Sequence, residues 1–218
     1  MKKLVITIST ALLFFANAVT ADVAMGITAN FASIDTSGTE KLRDSGKLST
    51  ASHTEDTVVP ELFIEVTGDR GAFGLAYIPV QEMGAKSRSD TKDANGGASE
   101  DTGTYKAEAE IDSHVMIYAD INMTEFAGQQ VYAKLGVSNA EITTLEDLNG
   151  GSSYDNQDVM GYTLGLGLRG DVPMVDNTFF KLEGTYTDYE DYESNNANNN
   201  ITAETEITSV KLSVGYNF

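Results

Sequence analysis

The chain has 218 residues and carries 33 Asp and Glu against 14 Lys and Arg, a formal net charge of -19. Such an acidic protein repels the phosphates of a nucleic acid, so we expect no binding to DNA or RNA. The sequence contains no cysteine, which excludes disulfide bonds, thiol nucleophiles and thiolate metal sites. Its length suits one medium domain or one β-barrel.

The first 21 residues have the features of a secretory signal peptide. Two lysines precede a mostly apolar stretch from Leu4 to Phe15, and small residues then lead to Ala21. We predict cleavage after Ala21, with Ala18 as the alternative, which leaves residues 22–218 as one domain. An N-terminal membrane anchor is the competing interpretation, but the apolar run is short. No later stretch approaches the roughly 20 apolar residues that a spanning helix needs, so a mature chain that crosses a membrane must do so as a closed β-barrel.

Eight later segments alternate apolar and polar side chains with the two-residue period of a β-strand. They lie near 23–31, 61–67, 73–77, 105–121, 130–138, 160–169, 180–187 and 210–218. The connections near 36–56, 81–103, 144–158 and 188–204 are long and rich in Ser, Thr, Asn, Asp and Gly, and we expect mobile surface loops there. The connections near 68–71, 122–129 and 170–177 are short. Long loops at one rim, short turns at the other and an even strand number predict an all-β, eight-stranded antiparallel up-and-down transmembrane barrel.

Alternation alone leaves open which face of the strands lies inside. A soluble barrel would enclose a greasy ligand with its apolar row and turn its charged row to water. The membrane arrangement is favoured because the polar row contains many glycines and a near balance of acids and bases, and because aromatic residues collect toward the ends of the apolar rows. We therefore predict an interior charge network of Glu61, Glu65, Lys106, Glu108, Glu110, Asp112, Asp120, Lys134, Arg169, Lys181, Glu183 and Lys211.

The C-terminal strand, Val210 to Phe218, alternates apolar residues and ends on phenylalanine. Together with Gly161 to Arg169, it resembles the small eight-stranded outer-membrane barrels of the opacity-protein type, related in architecture to the transmembrane domain of outer-membrane protein A. The resemblance implies that Val214, Tyr216 and Phe218 form the signal by which the outer-membrane assembly machinery recognises the chain. Members of this group serve as adhesins, as resistance factors against host defence or as membrane stabilisers, or have no known role.

Two short motifs carry possible chemistry. Asp112, Ser113 and His114 are the residue types of a hydrolase triad, but neighbouring strand residues point to opposite faces, so we predict no catalytic residue. The acidic runs at 155–158 and 188–193 offer oxygen ligands to divalent cations, although neither has the spacing of an EF-hand loop. We predict no cofactor and no defined metal site.

These features predict a monomeric, non-enzymatic protein of the cell outer membrane, with a side-chain-filled barrel and acidic loops that contact surfaces, lipopolysaccharide or a partner. Outer-membrane lipids and the assembly machinery are the other expected partners. Two alternatives stay open. One is a narrow, porin-like channel along the glycine-lined strand beside Arg169, and the other is an enzyme that acts on lipid A.

Overall fold

The computed structural model describes residues 22–42, 46, 48–90, 103–144, 155–195 and 199–218. The predicted signal peptide, residues 1–21, lies outside them and stays a prediction. Within the described part of the chain, no helix has the length and apolar character needed to cross a membrane.

The described chain forms ten β-strands, all in one antiparallel sheet. They are β1 (Asp22–Leu42), β2 (Leu48–Gly68), β3 (Gly71–Ile78), β4 (Gln81–Asp90), β5 (Gly103–Phe126), β6 (Gln129–Thr144), β7 (Gln157–Asp171), β8 (Thr178–Tyr189), β9 (Tyr192–Asn195) and β10 (Asn199–Asn217). β4 continues β3 along β5, and β9 continues β8 along β10. β1 pairs with β10, which closes the sheet. The wall therefore has eight strands in up-and-down order, as predicted.

The strands extend beyond the predicted boundaries at the end of the barrel with the long connections, here called the outer end. Residues 36–42 and 48–56, expected in a mobile loop, continue β1 and β2 as a hairpin in which Ser37 lies opposite Ser52. Residues 81–90, also expected in a loop, form β4. In the first hairpin the Thr residues are good strand formers, but most described side chains on both faces are exposed. The apolar alternation that reveals a half-buried strand is therefore missing there.

A β-bulge in β5 reverses the inward and outward sides of that strand. The pairing register with β6 shifts between Asp112 and Val115, so Ser113 and His114 together occupy one place in the ladder. Ser113 has a φ of 51°, in the left-handed region. Because the extra residue shifts the alternation by one, Ile111 points inward and is buried, although it has the same parity as the outward-facing Val115.

The prediction that Glu110 and Asp112 lie in the interior network is therefore wrong. Both are only partly buried, and Asp112 accepts a hydrogen bond from the backbone N–H of Ser113 at 2.5 Å. Apolar residues keep the same parity on both sides of the bulge, so the sequence pattern gives no sign of it. The side chains of Lys106 and Glu108 lie outside the described part of the structure.

The outer face of the barrel carries an apolar belt. Its exposed members include Val23, Met25, Ile27, Phe31, Val58, Leu62, Ile64, Val66, Leu75, Val115, Ile121, Leu135, Leu164, Leu166, Leu182, Val210, Leu212 and Val214. Tyr77, Tyr162 and Tyr186 lie toward its outer edge, and Tyr216 and Phe218 lie at its inner edge, next to the short turns. Such a continuous apolar surface is unfavourable in water and fits the hydrocarbon core of a membrane, with aromatic rings at both interfaces.

The terminal residue closes the ladder between β10 and β1. The backbone N–H of Phe218 donates to the carbonyl of Val23 at 2.8 Å, and its ring packs edge-on against Tyr216 with centroids 5.1 Å apart. The ring itself is 67% exposed, so it contributes little packing energy. An assembly role for Val214, Tyr216 and Phe218 stays a prediction.

If the terminal ring is an assembly signal, Phe218→Ala will lower the amount of protein in the outer-membrane fraction while changing the free energy of unfolding by about 0.5 kcal/mol or less. Fractionation and heat-dependent gel mobility measure the amount of folded protein in the outer membrane. Urea unfolding of refolded protein measures the free energy of unfolding. Phe180→Ala, which removes another aromatic ring near the same rim, is the matched control. Equal loss of both variants from the membrane would contradict a special role for the terminus.

Candidate functional site: the charged barrel interior

Charged side chains of the described strands point into the barrel as four acids and four bases. They are Glu61, Glu65, Asp120, Glu183, Lys134, Arg169, Lys181 and Lys211. All belong to the predicted set, and all except Arg169 are buried. They come from strands that are far apart in the sequence and meet only because the barrel is closed.

Lys181 on β8 lies at the centre of the main cluster. Its Nζ is 3.0 Å from Glu65 Oε2 and 2.6 Å from Asp120 Oδ2, so it joins three strands across the lumen. Arg169 extends the cluster, with Nη1 2.6 Å from Glu65 Oε1. Its Nη2 donates to Asn217 at 3.2 Å, which ties the cluster to the C-terminal strand.

Lys134 on β6 forms the other half of the cluster. Its Nζ is 2.9 Å from both Asp120 Oδ1 and Glu183 Oε1. The same ammonium group lies 3.6 Å from the centroid of the Tyr118 ring, a favourable cation–π position. With the contacts of Lys181, this gives a continuous chain of ion pairs from Arg169 to Glu183.

Two tyrosines complete the hydrogen bonding of the carboxylates. Tyr118 donates to Glu65 at 2.7 Å, and Tyr132 donates to Glu183 at 2.8 Å. The sequence pattern places both tyrosines on the inward row but does not identify them as donors. The signal that identifies them is spatial, because each ring lies over a glycine on a neighbouring strand. A Cβ at Gly167 would overlap the ring of Tyr132.

Glu61 and Lys211 form a separate buried pair nearer the outer end, with Nζ 2.6 Å from Oε2. The main cluster has three acids and three bases, and this pair adds one of each. The balance matters because an unpaired buried ion costs several kcal/mol, whereas an ion pair with additional hydrogen bonds recovers much of that cost. The interior of the described strands therefore holds equal numbers of Asp or Glu and Lys or Arg side chains.

The outer half of the interior is apolar, which the sequence pattern does not predict. Its buried residues are Ala32, Ile34, Val59, Ile78, Ile111, Ala140, Ile142, Val159, Tyr189 and Tyr192, here called the outer apolar cluster. Several of these residues lie beyond the predicted ends of the strands, so the predicted alternation does not include them. The alternation predicts that Ile111 faces outward, but the bulge turns it inward. The inward row is therefore charged near the short turns and apolar near the long connections.

The Asp112, Ser113 and His114 motif does not assemble a catalytic site. His114 points inward, where its Nε2 lies 3.2 Å from the hydroxyl of Tyr189, whereas Ser113 is exposed. The bulge thus separates the base from the hydroxyl group that it would have to activate.

The two acidic runs predicted near 155–158 and 188–193 lie beside each other. Tyr192 donates to the carbonyl of Asp155 at 2.7 Å, and the backbone N–H of Glu193 donates to Gln157 Oε1 at 3.1 Å. Tyr189 and Tyr192 of the second run are buried, so this segment is not simply a solvated charge run. Among the described residues, no group of three or more His, Cys, Asp or Glu side chains is placed to hold a metal ion.

Comparison with known proteins supports the fold. No model of a known protein family matches the chain, and no curated protein matches it. Among solved structures, the outer-membrane protein AlkL in lipid bilayers is similar over 93% of this chain and 92% of its own, with 15% identity and a TM-score of 0.52. The outer-membrane protease OmpT from Escherichia coli is similar over 93% of this chain and 99% of its own, with 8% identity and a TM-score of 0.48. Neisserial surface protein A is similar over 91% of this chain and 99% of its own, with 11% identity and a TM-score of 0.40.

The chain therefore has the eight-stranded barrel fold of bacterial outer-membrane proteins. The apolar belt supplies the independent physical reason for a membrane location, since a barrel with uncharged outward side chains and charged inward ones is stable only in lipid. Together, fold and belt place the protein in the outer membrane.

The charge balance predicts the effect of removing the central lysine. Lys181→Met leaves three acids and two bases in the main cluster, and we expect it to lower the free energy of unfolding by about 3–5 kcal/mol. Lys41→Met, which removes an exposed lysine of β1, should change it by about 0.5 kcal/mol or less. Urea unfolding of the refolded proteins in detergent micelles measures both.

A second substitution separates charge imbalance from lost packing. Asp120→Asn added to Lys181→Met restores equal numbers of acids and bases, so the double variant should lose less stability than the sum of the two single variants. Additive losses would contradict the coupling of these side chains.

Proposed function

We propose that the protein is a closed, non-enzymatic barrel that holds acidic β-extensions at the outer surface of the membrane, in a structural or surface-interaction role. The observation that carries this proposal is the continuous chain of ion pairs across the lumen, from Arg169 through Lys181 to Glu183. A solute path would have to break it.

The filling of the lumen by aromatic rings gives further support. An eight-stranded barrel has an interior just wide enough for side chains. The glycines of β7, which the channel alternative requires as an open wall, are covered: a Cβ on Gly161 would contact Tyr189, and one on Gly167 would overlap Tyr132. On the neighbouring strand β8, the Phe179 ring occupies the space over Gly215 of β10 and lies under the guanidinium of Arg169, 3.6 Å away.

The outer extensions supply a surface for contact with cations or basic partners. Asp35 on β1 lies directly opposite Glu206 on β10, which lies opposite Asp188 on β8. All three are exposed, at a level just beyond the apolar belt. Neighbouring like charges on adjacent strands repel each other, so binding a cation or a basic group to this row is favourable. We propose that divalent cations, each bound to a single carboxylate of this row rather than enclosed by all three, bridge it to the phosphates of lipopolysaccharide.

Planar-bilayer recording tests closure of the lumen. The wild-type protein is expected to give no unitary openings above background, because the ion pairs and aromatic rings fill its cross-section. Steady wild-type openings whose conductance changes in Arg169→Gln, but not in the exposed control Lys41→Gln, would contradict closure and support the channel alternative.

Cation-dependent binding of lipopolysaccharide tests the surface role. Protein in nanodiscs should retain more lipopolysaccharide when Ca²⁺ is added. The triple variant Asp35→Asn, Asp188→Asn and Glu206→Gln should weaken this retention roughly threefold or more, since each exposed ionic contact contributes about 0.2–1 kcal/mol.

The matched control carries three neutralised acids near the short turns at the inner end: Asp69→Asn, Asp171→Asn and Asp176→Asn. It should retain as much lipopolysaccharide as the wild type. Equal weakening by both triple variants would mean that only net charge matters and would contradict a role for the outer row.

A further inference from the structure

Beyond the apolar belt, one edge of β2 has no partner strand among the described residues. β3 pairs with β2 only from Leu62 to Gly68, and β4 pairs with β5. The Cα atoms of β2 and β4 are more than 8 Å apart over most of their length, whereas paired strands lie about 4.7–4.9 Å apart. The side of Leu48–Asp56 that faces away from β1 is here called the free edge.

Two prolines end the ladder between β2 and β3. The register that places Leu62 opposite Tyr77 also places Pro60 opposite Pro79 when it is continued by two residues. Proline has no backbone N–H, so neither residue can donate a hydrogen bond to the other strand. The sequence itself therefore stops the ladder at this point and leaves β2 unpaired farther out.

Alternate residues of β2 direct their backbone N–H and C=O groups to the free edge. The N–H of Phe218 donates to the carbonyl of Val23, so odd-numbered residues of β1 bond to β10 and even-numbered residues bond to β2. The unbroken register of β1 and β2 then makes the odd-numbered residues of β2 bond to β1. The residues that present unpaired backbone groups at the free edge are Leu48, Thr50, Ser52, Thr54 and Asp56.

The free edge lacks the residues that commonly protect an exposed edge strand. It contains no lysine and no proline, and its threonines favour the extended conformation. Asp56 is exposed on it, and the exposed Asp35 lies on the neighbouring strand β1. An exposed row of unpaired donors and acceptors is a template for an added strand, and here that template is acidic.

A second copy of this chain does not fit the free edge. In the same membrane its β2 runs in the same direction, so a two-fold axis along the membrane normal pairs the two edges in parallel and brings equal residues such as Asp56 together. Like charges on neighbouring strands repel each other, and the net charge of -19 adds to the repulsion. A basic segment has the complementary charge and can run antiparallel to β2.

We propose that the free edge of β2 binds an extended, basic polypeptide segment outside the cell as an added antiparallel strand. Its backbone bonds to the even-numbered residues of the edge, and its lysine or arginine side chains lie near Asp56 and Asp35. This inference names a protein partner for the surface role and rests on the proposed outward orientation of this end of the barrel. It depends neither on closure of the lumen nor on bound cations.

A synthetic peptide of about ten residues that alternates lysine and valine is the probe, since this is an ordinary strand length. It is added to full-length mature protein in nanodiscs without lipopolysaccharide, and its binding is followed by fluorescence anisotropy. Binding should be saturable. It should slow hydrogen exchange at the even-numbered amides within 50–56 and change the odd-numbered amides little, because they are already bonded to β1.

A methylated peptide separates backbone pairing from charge. The same sequence with methyl groups on its central backbone nitrogens keeps every lysine but loses the donors of an added strand. It should bind at least about tenfold more weakly, because several hydrogen bonds are lost together.

Proline on the free edge tests the same contact from the side of the protein. Thr54→Pro removes one N–H that faces the edge and should weaken binding about fivefold or more. Thr54→Val is the matched control: both variants lose the hydroxyl that donates to Asp35 at 2.5 Å, but valine keeps the N–H and should bind as the wild type does. Ser52→Pro and Ser52→Ala repeat the comparison if Thr54→Pro does not fold.

Three results would overturn the proposal. The first is an absence of saturable binding. The second is equal binding of the methylated peptide, or equal effects of Thr54→Pro and Thr54→Val, because the peptide would then bind by charge alone. The third is protection of the even-numbered amides without peptide, because another segment or a second copy would then already cover the edge. Failure of the lipopolysaccharide experiment would leave these results unchanged, since the nanodiscs contain none.

Discussion

The barrel depends on one electrostatic constraint: a strand that crosses lipid must direct its charges into the lumen, and the lumen must then neutralise them. Lys181 meets this constraint for two carboxylates at once, on β2 and β5, and Lys134 does so for carboxylates on β5 and β8. None of these interior pairs lies within one strand, so each contact depends on the correct register of several strands. The ion pairs therefore act as a check on the register as well as a source of stability.

The narrow lumen adds a constraint of shape. Rings and glycines alternate around the inner wall, as in the placement of Tyr132 over Gly167, because eight strands leave too little room for two large side chains at one level. The ring then reaches a carboxylate with its hydroxyl group, so packing and charge neutralisation are achieved by the same residue. This coupling is why a solute path is difficult to open without destabilising the barrel.

Much of the fold could be predicted from the sequence because the membrane separates the two faces of each strand so sharply. β7 and β10 alternate without interruption, and their inward residues, including Arg169 and Lys211, point as the pattern predicts. The pattern fails where the environment changes. In the outer hairpin of β1 and β2 most side chains on both faces are exposed, so strand residues there look like a loop. In β5, one extra residue at Ser113 moves Ile111 inside and Asp112 outside.

The charge network could be predicted only as a set of inward residues, because its pairings depend on strands that are distant in sequence. Glu65 meets Lys181 across 116 positions, and no local spacing encodes that contact. The apolar outer half of the interior was missed for a related reason: Ile34 and Ile78 lie beyond the strand ends at which the pattern stopped. That apolar half separates the charged cluster from the outer surface, where the acidic extensions are exposed.

The central claim is that the apolar row of each strand faces lipid and the polar row faces the lumen, and accessibility along β10 tests it most directly. The chain has no cysteine, so single cysteines at Ser209, Val210, Leu212, Ser213 and Val214 can each carry one spin label in a lipid bilayer. Collisions with lipid-dissolved oxygen should be frequent at positions 210, 212 and 214 and rare at 209 and 213. The opposite alternation, with frequent collisions at 209 and 213, would contradict the account.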